Sequence, residues 1–463
     1  MLNEEMHKYL SILFGVAIIA AGCAVKAPPD AAAIKTEALP TVQMPAAWRA
    51  GMGGAVSADW LATFGDPQLT AAVQEAIAHN ADLRIAAARV EQALLYAKLA
   101  GAKLWPSADL LARGGGKMSG DGSGLQGVVL SMSWELDLWG RVRYGRAAAT
   151  DTAQAAEADY LAAREAIAAQ VARAWFVAVE AGLQAEIARG TVRDTEELVR
   201  LAQDRSRVGV GNDEDVFVAR ANVGTGRDVV RELELSRENA IRALELLLGR
   251  YPSAAAAVGP QLPTQPEAVP AGLPSELLER RPDVIAAERR IAAAFHRIGE
   301  AKAARLPAIA LTSGVSSVSS ELFVLKDRSN PVWNLGANLL MPVFRGGALK
   351  TQVDIRTAEQ KQAVAEYAAI GLRAFGEVET ALSAEFAARE REQILAQSLA
   401  DNTRALEIVR TQFKVGSTDL RFVTQRQLAL LSTQSALVRM RTEQRLQRVN
   451  LYAALGGGFG PKP

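Results

Sequence analysis

The sequence has few of the residues on which active sites and disulfide-stabilised folds depend. Its 463 residues include one cysteine and three histidines, and aromatic residues make up 6% of the chain. A single cysteine excludes an internal disulfide and a thiolate metal cluster. The histidines, His7, His79 and His296, are far apart, and the carboxylates are scattered at helix-face spacing. We therefore predict no catalytic site, no metal and no cofactor, and no enzymatic function.

The chain also lacks an excess of charge of either sign. Its 52 basic and 51 acidic residues give a net charge of +1. Nucleic-acid binding depends on a positive surface, so no nucleic-acid partner is expected. The hydrophobic content of 49% is too high for a disordered chain.

Proline is missing from two long stretches of the sequence, between Pro106 and Pro252 and between Pro342 and Pro461. Proline is excluded from helix interiors, so both stretches can form very long helices. As a single helix, residues 346–415 would be about 100 Å long, which suits a tube across the periplasm better than a compact domain. Heptad spacing in both stretches is typical of coiled coils. It is shown by Leu198, Leu201, Arg205 and Val208, and by Leu395, Leu399, Asn402, Leu406, Val409 and Phe413.

The N-terminus has the pattern of a secretory signal peptide over residues 1–22. The apolar run from Tyr9 to Gly22 is too short to span a bilayer as a helix and ends in small residues before Cys23. Small residues directly before a cysteine resemble a bacterial lipobox, in which the cysteine carries a diacylglycerol and an N-linked acyl group. Cys23 is therefore predicted to be the lipid-attachment site (N-palmitoyl, S-diacylglycerol), followed by a tether over 23–57.

The chain contains an internal duplication with a period of about 200 residues. Matched segments are 80–83 with 281–284, Trp105-Pro106 with Leu306-Pro307, Arg173-Ala174-Trp175 with Arg373-Ala374-Phe375, Val208-Gly209 with Val415-Gly416, and Leu248-Gly249 with Leu455-Gly456. The predicted organisation is a first repeat over 58–251, a proline-rich linker over 252–274, a second repeat over 275–456 and a tail over 457–463.

Each repeat is predicted to contain a helix, two short strands, a very long helix, a tight turn and a return helix. The first helices are expected at 67–103 and 275–304. Apolar and polar residues alternate over 128–138 and 332–343, and the partner strands are expected at 107–116 and 308–319, joined through loops 114–127 and 314–320. Strands of about ten alternating residues suit a membrane β-sheet, although a half-buried strand of a soluble sheet shows the same period. Aromatic residues that would lie at the membrane interface are Trp105, Trp134, Trp139, Trp333 and Phe344.

Four strands cannot close a barrel around a pore. An open sheet edge in lipid leaves backbone N–H and C=O groups without hydrogen bonds, and each such group costs roughly several kcal/mol. If these strands enter a membrane, several chains must therefore share one barrel.

Four motifs are similar to those of the TolC-type outer membrane factors, and most similar to the lipoprotein branch called OprM or NodT. They lie at residues 60–69, 78–83, 134–141 and 272–283, and the resemblance covers nearly the whole mature chain in order. It implies an α+β membrane protein: a homotrimer forming a 12-stranded β-barrel on an α-helical periplasmic tunnel. It also implies outer membrane lipid around the barrel, a periplasmic membrane-fusion adaptor and an inner-membrane pump of the resistance-nodulation-division class. The duct would conduct drugs or other small molecules passively across the Gram-negative outer membrane.

The same resemblance assigns roles to the two helix-reversal turns. The tunnel tip would close at these turns, and the adaptor would dock on Val208, Gly209, Val415 and Gly416. The glycines are expected to supply positive φ. The aperture residues would be Asp213, Glu214, Thr418, Asp419 and Arg421. Phe422 and Gln425 stand where carboxylates are common, so Asp419 is the only acidic residue near the second turn.

Two other functions fit parts of this pattern. One is the exit duct of a type I protein-secretion system, which shares the fold but usually lacks a lipobox. The other is a lipid-tethered periplasmic coiled-coil scaffold without a pore, which would not require alternating membrane strands.

Overall fold

The computed structural model describes residues 25–43, 45–49, 59–113, 126–265, 271–272, 274–319 and 332–458. Within these ranges the chain forms nine α-helices and one four-stranded sheet. In chain order they are α1 Ala31–Ala38, α2 Pro67–His79, α3 Ala81–Ala102, β1 Ser107–Arg113, β2 Gln126–Leu136, α4 Arg141–Arg207, α5 Asp213–Leu247, α6 Pro274–Arg280, α7 Pro282–Ala303, β3 Ala308–Ser319, β4 Val332–Leu340, α8 Ala348–Lys414 and α9 Leu420–Ala454.

The duplication predicted from the sequence is present in the helix lengths. The two long helices, α4 and α8, have 67 residues each, and the two return helices, α5 and α9, have 35 each. Helix α8 begins and ends 207 positions after α4, and α9 begins and ends 207 positions after α5. Proline-free sequence has therefore become uninterrupted helix in both repeats, as expected.

The two predicted first helices are each broken, which corrects the boundaries 67–103 and 275–304. Asn80 leaves the helical conformation (φ −62°, ψ 130°), and its side-chain oxygen accepts from the backbone N–H groups of Asp82 and Leu83, so that a new helix begins there. In the second repeat Pro282 occupies the first position of α7, where its missing N–H has no cost. The breaks fall at repeat-equivalent positions.

The sheet has the order β1-β2-β3-β4 and is antiparallel throughout. Pairing of β2 with β3, for example Leu130 with Val315, joins the strands of the two repeats, while β1 and β4 form the two edges. The expected loop at 314–320 is wrong for residues 314–319, which continue β3 in register with β2. Gly314 pairs with Ser131 and Asn334, and a glycine suits this position because a Cβ there would be 2.8 Å from the Asn334 side-chain oxygen. Strands β2 and β4 end at Leu136 and Leu340, before the predicted 138 and 343.

The chain folds as two compact units, each of which draws on both repeats. The first comprises Met1–Val42, Ala87–Asp159 and Asp283–Ile370, and contains the sheet. The second comprises Gln43–Ala86, Tyr160–Pro282 and Gly371–Pro463, and contains both helix-reversal turns. Its main apolar core includes Trp60 stacked on Tyr452, with ring centroids 5.8 Å apart, and Phe64 packed on Phe176.

One helix among the described residues, α4, is long and apolar enough to cross a membrane by length and composition. Half of its most apolar stretch is buried inside the molecule, which is typical of a core helix.

Candidate functional site: the hairpin turns and the sheet

Each hairpin reverses through a glycine in the left-handed region. Gly209 has φ 74° and Gly416 has φ 81°, which confirms the expectation for these two positions. Beyond the first turn, Asn212 caps α5 by accepting from the N–H of Asp215 at 2.8 Å, and the Ser206 hydroxyl donates to Asp213 at 2.7 Å. Beyond the second turn, Asp419 occupies the N-cap of α9 without a side-chain capping bond.

The two turns are joined by Arg205. Its guanidinium carbon lies 4.4 Å from the centre of the Phe413 ring, and it donates hydrogen bonds to the carbonyl oxygens of Phe413 and Val210. Cation–π contact and charge-assisted hydrogen bonding thus connect the last turn of α4 to the last turn of α8. The sequence has Arg205 at a heptad position where an apolar residue is usual, and that exception was the available signal of its role.

An apolar cluster lies beneath this connection. It contains the buried residues Leu198, Ala219, Leu406, Phe413, Leu420 and Val423. Leu198, Leu406 and Phe413 belong to the heptad pattern, which is confirmed as the packing seam. Val208, the last member of the first series, is 67% exposed because α4 has ended by then.

Further along the hairpins, polar side chains connect helices both within one repeat and between the two repeats. Asn402 donates to the Thr433 hydroxyl within the second hairpin at 3.0 Å, and Gln427 donates to the Thr195 hydroxyl of α4 at 3.1 Å. Asn402 therefore forms a hydrogen bond at a heptad position, whereas the adjacent heptad positions are occupied by apolar residues.

The predicted aperture residues lie on both turns. Asp213, Glu214, Asp419 and Arg421 are exposed, and Thr418 is half-buried. Asp419 is not the only acidic residue in its surroundings, which corrects the sequence expectation, because Asp215 arrives from the first repeat. Burial raises the pKa of Asp215, Arg205 partly counteracts this, and the negative charges of Asp419 and Glu214 raise it further. The Arg421 side chain lies over the Phe422 ring, with its guanidinium carbon 5.3 Å from the ring centre.

The residues predicted to contact an adaptor are accessible. Val208 and Val415 are 67% and 76% exposed, and Gly209 and Gly416 are exposed with open space around the position of an added Cβ.

The sheet separates an apolar face from a polar one, as the alternation predicts. Leu110, Leu130, Val315 and Trp333 lie in one cross-strand row, while the next row toward the helical end contains Asp109, Ser131, Gly314 and Asn334. Apolar residues on the face of the first row are exposed in the single chain. Leu110, Trp333 and Leu335 are 69%, 74% and 87% exposed. A sheet with a bare apolar face requires an apolar environment around it.

The predicted interface aromatics lie at both ends of the sheet. Trp105, Trp134, Trp139 and Phe344 lie at the end where the helices begin, and Trp333 lies at the other end, next to the start of β4. The indole of Trp134 donates to the Leu104 carbonyl at 2.9 Å, and that of Trp139 donates to the Pro307 carbonyl at 2.7 Å. These two rings therefore tie strand ends to the segments preceding β1 and β3. Cys23 lies outside the described residues.

Long paired helices in two repeats, joined to four strands with one apolar face, define the class of outer membrane channels. The family model for the outer membrane efflux protein matches residues 72–250 and 273–457. The chain belongs to the outer membrane efflux protein family. It is a Gram-negative outer membrane protein and a channel component of a tripartite efflux system, in a family of channels rather than of enzymes.

Individual relatives cover almost the whole chain. The cation efflux system protein CusC of Escherichia coli O6:H1 is 30% identical over 466 residues, covering 96% of this chain and 98% of CusC. The pyoverdine export outer membrane protein OpmQ of Pseudomonas aeruginosa is also 30% identical, covering 98% and 97%. Among solved structures, the open-state MtrE channel of Neisseria gonorrhoeae aligns with a TM-score of 0.82 at 27% identity, covering 94% of this chain and 98% of MtrE.

Proposed function

We propose that three copies of this chain form a single exit duct that passively conducts drugs or other small molecules. The duct would receive them from a periplasmic membrane-fusion adaptor and an inner-membrane pump of the resistance-nodulation-division class. The observation that carries this proposal is the sheet, with four strands, an exposed apolar face and two open edges, β1 and β4. An edge in lipid leaves its backbone groups unpaired, so β1 of one copy must pair with β4 of the next.

The helices next to these edges support the same assembly. Helix α3 leads into β1, and its only buried residue is Leu83, whereas its repeat equivalent α7 has eleven. Leu94, Leu95, Tyr96 and Leu99 of α3 are each about half exposed or more. Helix α8 follows β4, and none of residues 348–366 is buried. If β1 of one copy paired with β4 of the next, the exposed surfaces of α3 and α8 would both lie at the interface between the two copies.

The substrate is not set by the features that the relatives share. CusC is named for cation efflux, OpmQ for pyoverdine export and TtgC of Pseudomonas putida for toluene efflux, yet all three are 30% identical to this chain. These names favour efflux over protein secretion by a type I system. We expect selectivity to reside mainly in the pump.

We further propose that Cys23 carries the lipid anchor and that the chain uses no other cofactor and no catalytic residue. At the hairpin ends, Asp213, Glu214, Thr418, Asp419 and Arg421 would line the aperture. Val208, Gly209, Val415 and Gly416 would contact the adaptor, because these exposed positions project beyond the last helical turns.

Planar-bilayer conductance of the purified protein, together with its oligomeric mass, tests the duct. We expect the protein to be a trimer and its insertion into the bilayer to produce discrete steps of conductance. The variant Arg205→Met should show larger steps, since it removes the guanidinium that holds the Phe413 carbonyl and ring, at a loss of about 2 kcal/mol. The matched control is Arg207→Met, because Arg207 is exposed and forms an ion pair with Asp204, three residues earlier in the same helix.

A monomer that inserts no channel would overturn the duct and favour a lipid-tethered scaffold. If the wild-type protein is a conducting trimer and Arg205→Met has the same conductance, the duct is supported and Arg205 has no part in closing it.

A further inference from the structure

The unit that contains the sheet has a cavity of about 360 Å³ close to the end where the helices begin. Its walls include Val25, Leu104, Arg143, Arg146, Asp151 and His296. Leu104 lies three residues before β1, and Arg143 and Arg146 are in the first two turns of α4, shortly after β2. The cavity therefore opens where the membrane strands give way to periplasmic helices.

If the strands span the hydrocarbon, this level borders the headgroup layer of the inner leaflet. The headgroup region extends about 5–7 Å beyond the hydrocarbon on each side of a bilayer. Arg146 is five residues past the start of α4, which is about 7.5 Å along a helix. If the hydrocarbon ends where α4 begins, Arg146 lies at the outer edge of the headgroup layer, and its long side chain is flexible enough to reach back to the lipid phosphates.

Arg146 provides an available positive charge at the cavity mouth. It is exposed, and its side chain lies against Gly101 of α3, where an added Cβ would be 3.5 Å from the Arg146 Cδ and Nε atoms. Neighbouring Arg143 is already engaged by Asp137, at 3.1 Å. Other basic residues near this end of the sheet are Lys103, Arg141 and Arg305.

The interior of the cavity contains a buried carboxyl group next to a histidine. Asp151 and His296 are 9% and 6% exposed and face each other across α4 and α7, with 3.4 Å between Asp151 Oδ2 and His296 Nε2. Neither Asp151 Oδ2 nor His296 Nδ1 has a hydrogen-bond partner among the described residues. A buried acceptor without a partner is costly, so a donor at this position would be stabilised.

The protonation of this pair favours a cationic donor. Burial lowers the pKa of His296, with Asp151 partly opposing, so the imidazole is neutral at neutral pH. Burial raises the pKa of Asp151, while His296 and nearby Arg289 act against the rise. An incoming ammonium would place a positive charge beside Asp151, as Arg289 does, and favour the ionised carboxylate.

The tether borders the same cavity. Val25 forms part of its wall, and the next N–H, that of Lys26, donates to the Tyr144 hydroxyl at 3.1 Å. The Tyr144 ring in turn packs against His296, with centroids 6.0 Å apart. Apolar surface from Val25 and Leu104 thus lies next to the cationic mouth.

We propose that this cavity binds one zwitterionic phospholipid with a primary ammonium, of the phosphatidylethanolamine type. The phosphate lies on Arg146, the ammonium reaches the Asp151 carboxylate, and the first carbons of the acyl chains contact Leu104 and Val25. A choline headgroup has no N–H to donate, so it binds less well than ethanolamine. The site rests on the membrane location of the sheet and is independent of the conducting state, so a failure of lipid binding leaves the duct standing.

The test uses delipidated, detergent-purified protein and native mass spectrometry with added palmitoyl-oleoyl phosphatidylethanolamine or phosphatidylcholine. We expect one retained ethanolamine lipid per chain and about tenfold weaker retention of the choline lipid, the ratio given by one charge-assisted hydrogen bond. Arg146→Gln should reduce retention of both lipids, whereas Asp151→Asn should remove only the preference for ethanolamine. The matched controls are Arg220→Gln and Asp228→Asn, on α5.

Three results would overturn the proposal: equal retention of both lipids, unchanged binding in Arg146→Gln, or equal binding of acyl-free glycerophosphoethanolamine, which would indicate a soluble phosphate ligand. If Asp151→Asn fails to assemble, Leu104→Trp provides the second test, because it fills the apolar mouth and leaves the buried pair intact. Lipid retention in a folded Leu104→Trp protein at the wild-type level would also refute the site.

Discussion

Gly416 illustrates how single residues determine the hairpin ends. Its φ of 81° lies in the left-handed region, and nothing approaches the position of an added Cβ within 4 Å. A side chain there would be strained by the backbone alone, without any steric clash. Gly376, in the middle of α8, has equally open surroundings but no positive φ, so the same substitution there should have the opposite effect.

We expect Gly416→Ala to lower the free energy of unfolding by about 1 kcal/mol or more, because a non-glycine residue is disfavoured in the left-handed region. Gly376→Ala should raise it by about 0.5–1 kcal/mol through helix propensity. Chemical denaturation of the two variants side by side measures both. A stabilised Gly416→Ala protein would mean that the turn does not have this conformation.

At the scale of elements, the linker between the repeats is held by residues on two helices. The buried Glu245 of α5 accepts backbone N–H groups from Ala254, Ala255 and Ala256, at 2.7–2.8 Å. Arg445 of α9 donates twice to the Pro263 carbonyl, at 3.1 and 2.6 Å. Burial lowers the pKa of Arg445 to about 10, although Glu392 partly compensates, so it remains charged at neutral pH. Residues 254–263 are therefore fixed near both ends.

The linker contact gives a pH-dependent prediction. Burial alone would raise the pKa of Glu245, but the three backbone donors and Ser253 lower it below its ordinary value. The stabilisation is present above the unfolded-state value, near 4.5, and is lost as pH falls through the lower folded-state value. Glu245→Gln should cost about 2 kcal/mol at pH 7 and flatten the loss of stability below pH 4.5. Thermal melts from about pH 7 to pH 3 check this, and equal pH slopes in both proteins would contradict it.

The helix pairs and strands could be predicted well from the sequence because their signals are local. Missing proline, heptad spacing and period-two alternation each act within one element, and the helix expected over 346–415 is observed as α8 over Ala348–Lys414. The breaks at Asn80 and Pro282 are marked in the sequence only by single residues that start a helix, an asparagine cap and a first-position proline, within otherwise helical stretches.

Contacts between the repeats were beyond sequence reasoning. Arg205 meets Phe413 across 208 positions, and Asp215 comes near Asp419 through the same folding of two hairpins. Nothing in the spacing of either segment specifies its partner. The cavity beside Asp151 and His296 is likewise assembled from separate stretches of chain, and in the sequence His296 is only an isolated helix residue.

At the scale of the whole molecule, the exposed apolar surface of α3 is expected to be covered in the trimer and uncovered in a single chain. Replacing Leu95 and Leu99 by Glu should shift the purified protein from trimer toward monomer, since both side chains are more than half exposed in the chain and would be covered at the interface between copies. Tyr251→Glu is the control, because Tyr251 is 85% exposed and distant in sequence from α3. Light scattering coupled to size-exclusion chromatography gives the masses. Trimers of unchanged stability in the Leu95→Glu/Leu99→Glu protein would place the interface between copies elsewhere.

The equal lengths of the two helix pairs restrict how genes of this kind can change. Inserting one residue in α4 alone would advance its end by about 1.5 Å and rotate it by about 100°, so Arg205 would leave the ring and carbonyl of Phe413. Single insertions or deletions in one repeat are therefore disfavoured unless the other repeat changes to match. Divergence between the halves must proceed mainly by substitution, with length variation confined to the linker and the loops.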